Sequence, residues 1–218
     1  MSAKRLIVAL DFSHIDEVQA LIPKLDPKKC LVKVGLQLYL SQGAKILDLL
    51  SNAGFEIFLD LKLHDIPNTV GKAISEIEKF NIAMTTIHLQ GGEAMIEAAL
   101  SAANQTKILG VSLLTSLNDH DIEDLYASDF DSQFKRLIEL AKQTKIDGIV
   151  CSPNELTKLT GYSGLKVVPG IRNRDLNDDQ KRSMTASQAY TNGADYIVVG
   201  RPITKADSIE EALKEYES

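Results

Sequence analysis

The 218-residue sequence is poor in cysteine, lacks long apolar runs and carries no excess of basic charge. Its two cysteines, Cys30 and Cys151, are too few for a disulfide scaffold and suit a reducing compartment. The four histidines are widely scattered, so the chain contains no zinc-type cluster. A formal net charge of −6 argues against binding nucleic acid or anionic membranes by general electrostatic attraction. It leaves room for a local basic pocket that binds a small phosphate ester.

Apolar runs are short throughout the chain. Residues 6–10 are apolar, but Asp11 ends that run before it reaches the length of a signal-peptide core. No run approaches the roughly 18–20 apolar residues of a membrane-spanning helix. The sequence therefore predicts a soluble, cytoplasmic protein with neither a membrane nor a nucleic-acid partner.

Eight short apolar runs rich in β-branched residues predict eight strands, with helical periodicity between many of them. The predicted strands are residues 5–10, 31–35, 56–61, 83–88, 108–113, 148–151, 165–168 and 196–199, and helices are predicted over 15–25, 44–53, 69–80, 94–103 and 134–144. Ser13 is predicted to cap the first helix. This alternation favours a (β/α)8 TIM barrel of the α/β class, with a doubly wound open sheet as the alternative. No linker divides the chain, so residues 1–218 are predicted to form one domain.

Charged residues interrupt the first three predicted strands in a consistent pattern. Because side chains alternate between the two faces of a strand, Asp60 and Lys62 share one face and the neighbouring leucines take the other. The same parity directs Asp11, after the first strand, and Lys33, in the second strand, to the barrel interior. Four charges are thus expected at one mouth of the barrel, where enzymes of this fold place their chemistry.

The alternative to a functional site is a structural ion-pair network, or charges that end strands and face water. Withdrawing charges from water is costly unless they are paired, so four charges of matched parity favour function. The carboxylates of Asp60 and Asp65 flank Lys62 and favour its ammonium form over the amine. Lys62 is therefore expected to be a poor Schiff-base nucleophile and a good proton donor, in a cluster suited to a developing carbanion.

The ends of the last two predicted strands carry a candidate phosphate site. Gly170 and Arg172 follow the seventh strand, and Gly200 and Arg201 follow the eighth. Loops at these positions of a (β/α)8 barrel often bind phosphate, with glycine admitting the backbone and arginine binding the oxygens. Turn glycines with solvated arginines are the alternative, which the recurrence at both strands disfavours.

Three other polar residues are ambiguous by position alone. Thr115, after the fifth strand, is favoured by spacing as a cap of the next helix. Gln180 has the position of a solvated residue at a helix start, and His88, at the end of the fourth strand, that of a hydrogen-bonded structural residue.

Residues 60–70 resemble the signature of a known family. The segment reads DLKLHDIPNTV and matches the D-x-K-x-x-D-I-P-x-T pattern of the orotidine 5′-phosphate decarboxylase family. Asp11, VKVG at 32–35, VPGIR at 168–172 and VGRP at 199–202 extend the resemblance over essentially the whole chain. Two magnesium-dependent relatives share D-x-K-x-x-D: the 3-keto-gulonate 6-phosphate decarboxylase and the hexulose-phosphate synthase. They hold the metal partly through an acidic residue on the second strand, where this chain has Lys33.

The resemblance implies decarboxylation of orotidine 5′-phosphate to UMP, the last step of de novo pyrimidine synthesis, without a cofactor or metal. It implies a homodimer with shared active sites. Lys62 is expected to donate the proton to C6 of the pyrimidine, and Asp60 to lie beside the departing carboxylate. Asp11 and Lys33 are expected to bind the ribose, Asp65 and Thr69 the ribose in the neighbouring subunit's site, and Ile66 the substrate. Thr115 is expected to contact the pyrimidine, in place of its capping role. The phosphate is expected to be bound by Gln180, Gly200 and Arg201, with Arg172 on the closing loop after strand seven.

Two other functions are left open. One is a magnesium-dependent sugar-phosphate decarboxylase or aldolase. The other is a non-catalytic nucleotide-binding protein that kept the pocket, which the intact set of Asp60, Lys62 and Asp65 disfavours.

Overall fold

Eight parallel strands follow one another in sequence order and close into a barrel, with β8 paired to β1. The computed structural model describes residues 5–173 and 184–217. The strands are β1 (Leu6–Ala9), β2 (Cys30–Gly35), β3 (Ile57–Leu63), β4 (Ile82–His88), β5 (Lys107–Val111), β6 (Gly148–Val150), β7 (Leu165–Pro169) and β8 (Tyr196–Val199).

Helices connect successive strands, and two more follow the last strand. They are α1 (Ile15–Leu21), α2 (Leu36–Gln42), α3 (Lys45–Asn52), α4 (Pro67–Ile77), α5 (Glu93–Ala102), α6 (Asp119–Tyr126), α7 (Phe130–Thr144), α8 (Pro153–Leu156), α9 (Ala186–Thr191), α10 (Arg201–Thr204) and α11 (Ile209–Tyr216), with short 3-10 helices at Ile22–Lys24 and Leu89–Gly91. In the part of the chain that the structure describes, no helix is both long enough and apolar enough to span a bilayer.

All eight predicted strands are present, and closure of the sheet confirms the (β/α)8 barrel over the open alternative. The strands read as nearly continuous apolar runs because both of their faces are buried. One face packs inside the barrel, in a layer formed by Ile7, Ala9, Leu31, Phe58, Met84, Leu109, Val167 and Val198. The other face packs against the helices, where Leu59 lies in the larger cluster with Leu61 and Leu63 at its edge.

Two predicted helix caps are wrong. Ser13 precedes the N-cap of α1, which is His14, and its hydroxyl instead accepts a hydrogen bond from Gln37 Nε2 at 2.6 Å. Thr115 lies in the turn before α6, but the cap of α6 is Asn118, whose side chain accepts from the Asp121 N–H at 3.0 Å. The cap of α1 lies one residue after Ser13 and that of α6 three residues after Thr115, a common uncertainty at helix ends.

Candidate active site

The carboxyl ends of β1, β2 and β3 bring four charged side chains to one mouth of the barrel. The parallel register pairs Ala9 with Lys33 and Gly35 with Asp60. Lys33 lies two residues beyond Leu31 in β2, and Asp60 two residues beyond Phe58 in β3, so each charge follows a residue of the interior layer. The structure thus gathers the charges that strand parity directed to this mouth.

The four side chains form a chain of alternating charge. Lys33 Nζ lies 3.3 Å from Asp11 Oδ1 and 3.7 Å from Asp60 Oδ2. Lys62 Nζ lies 2.8 Å from both carboxylate oxygens of Asp60. Each ammonium therefore has a carboxylate partner, and Asp60 is shared between the two lysines.

Burial differs along this chain of charges. The side chain of Asp60 is 12% exposed and that of Lys33 is 13% exposed, whereas that of Lys62 is 33% exposed. An enclosed carboxylate is costly unless it is paired, and Asp60 has two ammonium partners and a hydroxyl donor, Thr86 Oγ1, at 3.0 Å. Asp60 binds the Lys62 ammonium, and part of the Lys62 side chain remains exposed at the mouth of the barrel.

Strand β3 departs from regular pairing where it carries Lys62. Leu59 pairs with Thr85 and Leu63 with Ile87, so four steps along β3 face two steps along β4. Lys62 has a φ of 50°, in the left-handed region that residues with a Cβ seldom adopt. Its N–H, lost from the regular ladder, donates to Thr86 Oγ1 at 2.8 Å. Such bulges re-aim side chains and are frequent next to active sites.

Two glycines border the charged cluster, and a Cβ would be tight at only one of them, Gly35. A Cβ on Gly35 would lie 3.1 Å from Lys33 Nζ and 3.8 Å from Asp11 Oδ1. A Cβ on Gly200 would lie 3.5 Å from Ala9 Cβ and 3.5 Å from Asp11 Oδ2. Gly200 follows β8, so the end of the last strand borders the same mouth as the charges of β1 and β2.

Of the residues predicted to bind phosphate, Arg172 follows β7, and Gly200 and Arg201 follow β8. Arg201 is the first residue of α10, directly after Gly200, and is exposed. Arg172 follows β7 and is buried, and its backbone N–H donates to Met184 O at 2.9 Å. Gln180 lies outside the described residues. Thr115, the predicted pyrimidine contact, is exposed in the turn that follows β5.

The motif residues after Lys62 lie at the surface of the single chain. Asp65, Ile66 and Thr69 are exposed where β3 leads into the first turn of α4. The Asp65 carboxylate accepts from the N–H of Ile66 at 2.7 Å. Within residues 5–173 and 184–217, none of the ion pairs joins Asp65 to Lys62. The flanking role predicted for Asp65 is thus not met inside one chain.

A neutral polar network lies next to the cluster at the end of β4. His88 Nδ1 is 2.9 Å from Gln90 Oε1, and Gln90 Nε2 donates to the Ser112 carbonyl at 2.9 Å. The ring of His64 lies 5.3 Å from that of His88. Burial lowers the pKa of His88 below its ordinary value, so the ring is neutral at pH 7. The contact with Gln90 makes His88 a hydrogen-bonded residue, as its position in the sequence predicted.

Sequence reasoning missed the part that Thr86 plays in this site. Thr86 is fully buried and bonds both to the backbone of Lys62 and to the carboxylate of Asp60. It shares strand parity with the interior residue Met84 and with His88, which was the available signal. Thr85 precedes it in the same strand. The sequence alone does not reveal which of the two threonines contacts the irregular segment of β3.

A (β/α)8 barrel that gathers paired carboxylates and ammonium groups at the carboxyl ends of its strands has the layout of an enzyme that binds a small polar substrate there. Among the described residues, no group of three or more His, Cys, Asp or Glu side chains is placed to hold a metal ion. Residues 4–216 match the family described as "Orotidine 5′-phosphate decarboxylase / HUMPS family". The chain belongs to this family.

Individual relatives are similar over nearly the whole chain. The orotidine 5′-phosphate decarboxylase of Saccharophagus degradans is 42% identical over 220 residues, covering 97% of this chain and 92% of the relative. That of Nitrosomonas europaea is 41% identical over 223 residues, covering 99% and 96%. The crystal structure of orotidine 5′-phosphate decarboxylase from Lactobacillus acidophilus superposes with a TM-score of 0.86 at 35% identity, covering 99% of this chain and 100% of that one.

Proposed function

We propose that this protein decarboxylates orotidine 5′-phosphate to UMP, and that Lys62 protonates C6 of the pyrimidine. The observation that carries the mechanism is the Lys62 ammonium held by both carboxylate oxygens of Asp60 at the barrel mouth. Family membership and relatives about 40% identical over nearly the whole chain support the reaction.

The bond between C6 and the carboxylate breaks with its electron pair left on C6. Water stabilises such a carbanion poorly, because solvent dipoles must reorganise around the new charge. The ammonium of Lys62 is already in place, so it meets the developing charge at little reorganisation cost, which is the usual source of large catalytic effects. The broken bond frees CO2, a proton then passes from Nζ to C6, and solvent reprotonates the Lys62 amine.

Asp60 serves this reaction in two ways. Its two oxygens, each 2.8 Å from Nζ, fix the direction of the Lys62 side chain. Its negative charge is also expected to lie beside the substrate carboxylate, so departure of CO2 relieves a repulsion between like charges. Lys33, 3.7 Å from Asp60, helps to hold that carboxylate in position when substrate arrives.

The remainder of the nucleotide is assigned to the rim of the same mouth. Asp11 and Lys33, paired at 3.3 Å, offer an acceptor and a donor for the ribose hydroxyls. Gly200 and Arg201 are assigned to the phosphate together with Arg172 and Gln180. The phosphate is remote from C6, but its binding energy can drive loop closure and exclude water from the reacting atoms.

The proposed reaction is tested by incubating the protein with orotidine 5′-phosphate in excess EDTA, following the loss of ultraviolet absorbance and identifying UMP by chromatography. We expect full activity in EDTA, because the Asp11 and Asp60 carboxylates are already paired with the Lys33 ammonium. Activity that required magnesium, or that appeared only with 3-keto-gulonate 6-phosphate, would indicate a sugar-phosphate enzyme. Tight UMP binding without turnover would indicate a nucleotide-binding protein.

Arg201→Ala is expected to weaken UMP binding by about 10- to 100-fold, the usual contribution of a charge-assisted hydrogen bond. Binding of uridine should be nearly unchanged, because uridine has no phosphate. Calorimetric titration of both ligands measures the difference. Lys205→Ala, which removes an exposed positive charge four residues further on, is the matched control. Equal losses for UMP and uridine would show that Arg201 acts on the fold instead.

We also propose that the chain, as a single barrel domain over residues 1–218, forms a homodimer with shared active sites. Large apolar side chains are exposed after β2 and after β3: Leu36 (52%) and Leu40 (80%) in α2, and Ile66 (64%) just before α4. Asp65 and Thr69 lie at the surface beside Ile66. A second copy packed over this face would cover the apolar residues and bring Asp65 of one chain to the Lys62 of the other.

The state of the cysteines supports a cytoplasmic location for this reaction. Cys30 and Cys151 are both free and buried. Burial raises the pKa of the Cys151 thiol well above its ordinary value, so the group stays protonated and unreactive. Free thiols of this kind suit a reducing compartment.

A further inference from the structure

Thr86 is a fully buried residue of β4 whose hydroxyl lies between Lys62 and Asp60, the two residues assigned to the chemical step. Its Oγ1 accepts a hydrogen bond from the backbone N–H of Lys62 at 2.8 Å and donates one to Asp60 Oδ1 at 3.0 Å. A hydroxyl has one proton to donate and lone pairs to accept with, so both bonds form at once. One side chain thus connects the backbone of the proposed proton donor to the carboxylate that holds its ammonium.

The backbone at Lys62 needs such a contact. The pairing of β3 with β4 is irregular between Leu59 and Leu63, and Lys62 has a φ of 50° within that interval. A residue with a Cβ in this conformation is strained and persists only where the surroundings hold it. The Lys62 N–H would lose its acceptor if the Thr86 hydroxyl were removed, and a part-buried donor without a partner is costly.

Asp60 needs the same hydroxyl for a different reason. Both of its oxygens contact the Lys62 ammonium, and Oδ2 also faces Lys33. Thr86 is the neutral donor on Oδ1. That bond is one of the contacts that hold the orientation of the carboxylate, and with it the direction of Nζ.

We propose that Thr86 is a positioning residue for decarboxylation, which fixes the Lys62 backbone and the Asp60 carboxylate in one geometry without touching substrate. The inference rests on the proposed function. Its effect should appear in the chemical step, since the geometry of Nζ relative to C6 matters most as the carbanion develops. Ground-state binding of the nucleotide should depend on it little.

Thr85, the preceding residue, offers a matched control. It too is fully buried, and its hydroxyl donates to the Leu59 carbonyl at 2.8 Å. That bond joins the same two strands just before the irregular interval, but reaches neither Asp60 nor Lys62. Thr85→Val and Thr86→Val therefore each remove one buried, bonded hydroxyl from β4, and only Thr86→Val removes it from the site.

Thr86→Val is expected to lower kcat by about 10- to 100-fold, the rate equivalent of a hydrogen bond to a charged group, with KM and the UMP dissociation constant within about threefold of wild type. Thr86→Ser keeps the hydroxyl and should restore kcat to within about threefold of wild type. Thr85→Val should lower the melting temperature while kcat stays within about twofold of wild type. Steady-state kinetics, UMP titration and thermal melts on the four proteins measure these outcomes.

The wild-type assay separates failure of this inference from failure of the proposed function. A wild-type protein that does not convert orotidine 5′-phosphate overturns both. An active wild type whose folded Thr86→Val variant keeps its kcat overturns the positioning role alone, as does a Thr86→Ser variant no better than Thr86→Val. If Thr86→Val does not fold, Thr86→Ala replaces it, because it removes the hydroxyl without placing a methyl group against Asp60, and an unchanged kcat then overturns the role.

Discussion

Lys62→Ala is expected to lower kcat for orotidine 5′-phosphate by about 1,000-fold or more, the scale of a large preorganised electrostatic contribution, while UMP still binds. The variant loses both the charge that meets the carbanion and the proton that C6 receives. UMP carries no charge at C6, so its affinity depends on the ribose and phosphate contacts instead. Stopped-flow or steady-state decarboxylation assays give kcat, and calorimetric titration gives the UMP affinity.

The variant should fold, for reasons visible in the cluster. Alanine has a Cβ, as lysine does, so the strain at a φ of 50° is unchanged by the substitution. Asp60 keeps Lys33 and Thr86 as partners, so no buried carboxylate is left unpaired. Lys24→Ala, which removes an exposed lysine in the short helix that precedes β2, is the control for charge alone. A Lys62→Ala protein with near wild-type kcat would contradict the proposed mechanism.

Mixing Lys62→Ala with Asp65→Ala is expected to restore activity from two inactive proteins. If each site uses Lys62 of one chain and Asp65 of the other, a mixed dimer has one site with both lesions and one with neither. Random exchange makes about half of the dimers mixed, so about a quarter of all sites should be native. Activity measured after exchange, with a tagged chain to verify that exchange occurred, gives the recovered fraction.

The control for this experiment comes from the contacts within one chain. Asp60 and Lys62 of the same chain lie 2.8 Å apart, so they must serve the same site. A mixture of Lys62→Ala and Asp60→Ala leaves one lesion in every site of a mixed dimer and should recover nothing. Verified exchange with no recovery in the Lys62→Ala and Asp65→Ala mixture would refute the shared site, and with it the functional dimer.

Much of the barrel was predictable because its signals are local. A strand buried on both faces reads as an apolar run, and eight such runs separated by helical segments have few ways to fold. Closure of the sheet was not local, since the pairing of β8 with β1 joins segments about 190 residues apart along the chain. Helix ends were the weakest predictions, because capping depends on the exact turn, as His14 and Asn118 show.

The sequence by itself determined which charges face the barrel interior. Strand alternation directs Asp11, Lys33 and Asp60 inward, and this follows from a two-residue period that needs no knowledge of the neighbours. The motif that begins at Asp60 also predicted the family, which the match over residues 4–216 confirms. Only the tertiary structure decided how Lys62 is held. The pairing of β3 with β4 is irregular there, the Lys62 backbone is left-handed, and the Thr86 hydroxyl accepts its N–H. The physical reason is that a bulge is a property of two strands together, and its stabilising contact comes from a residue 24 positions away.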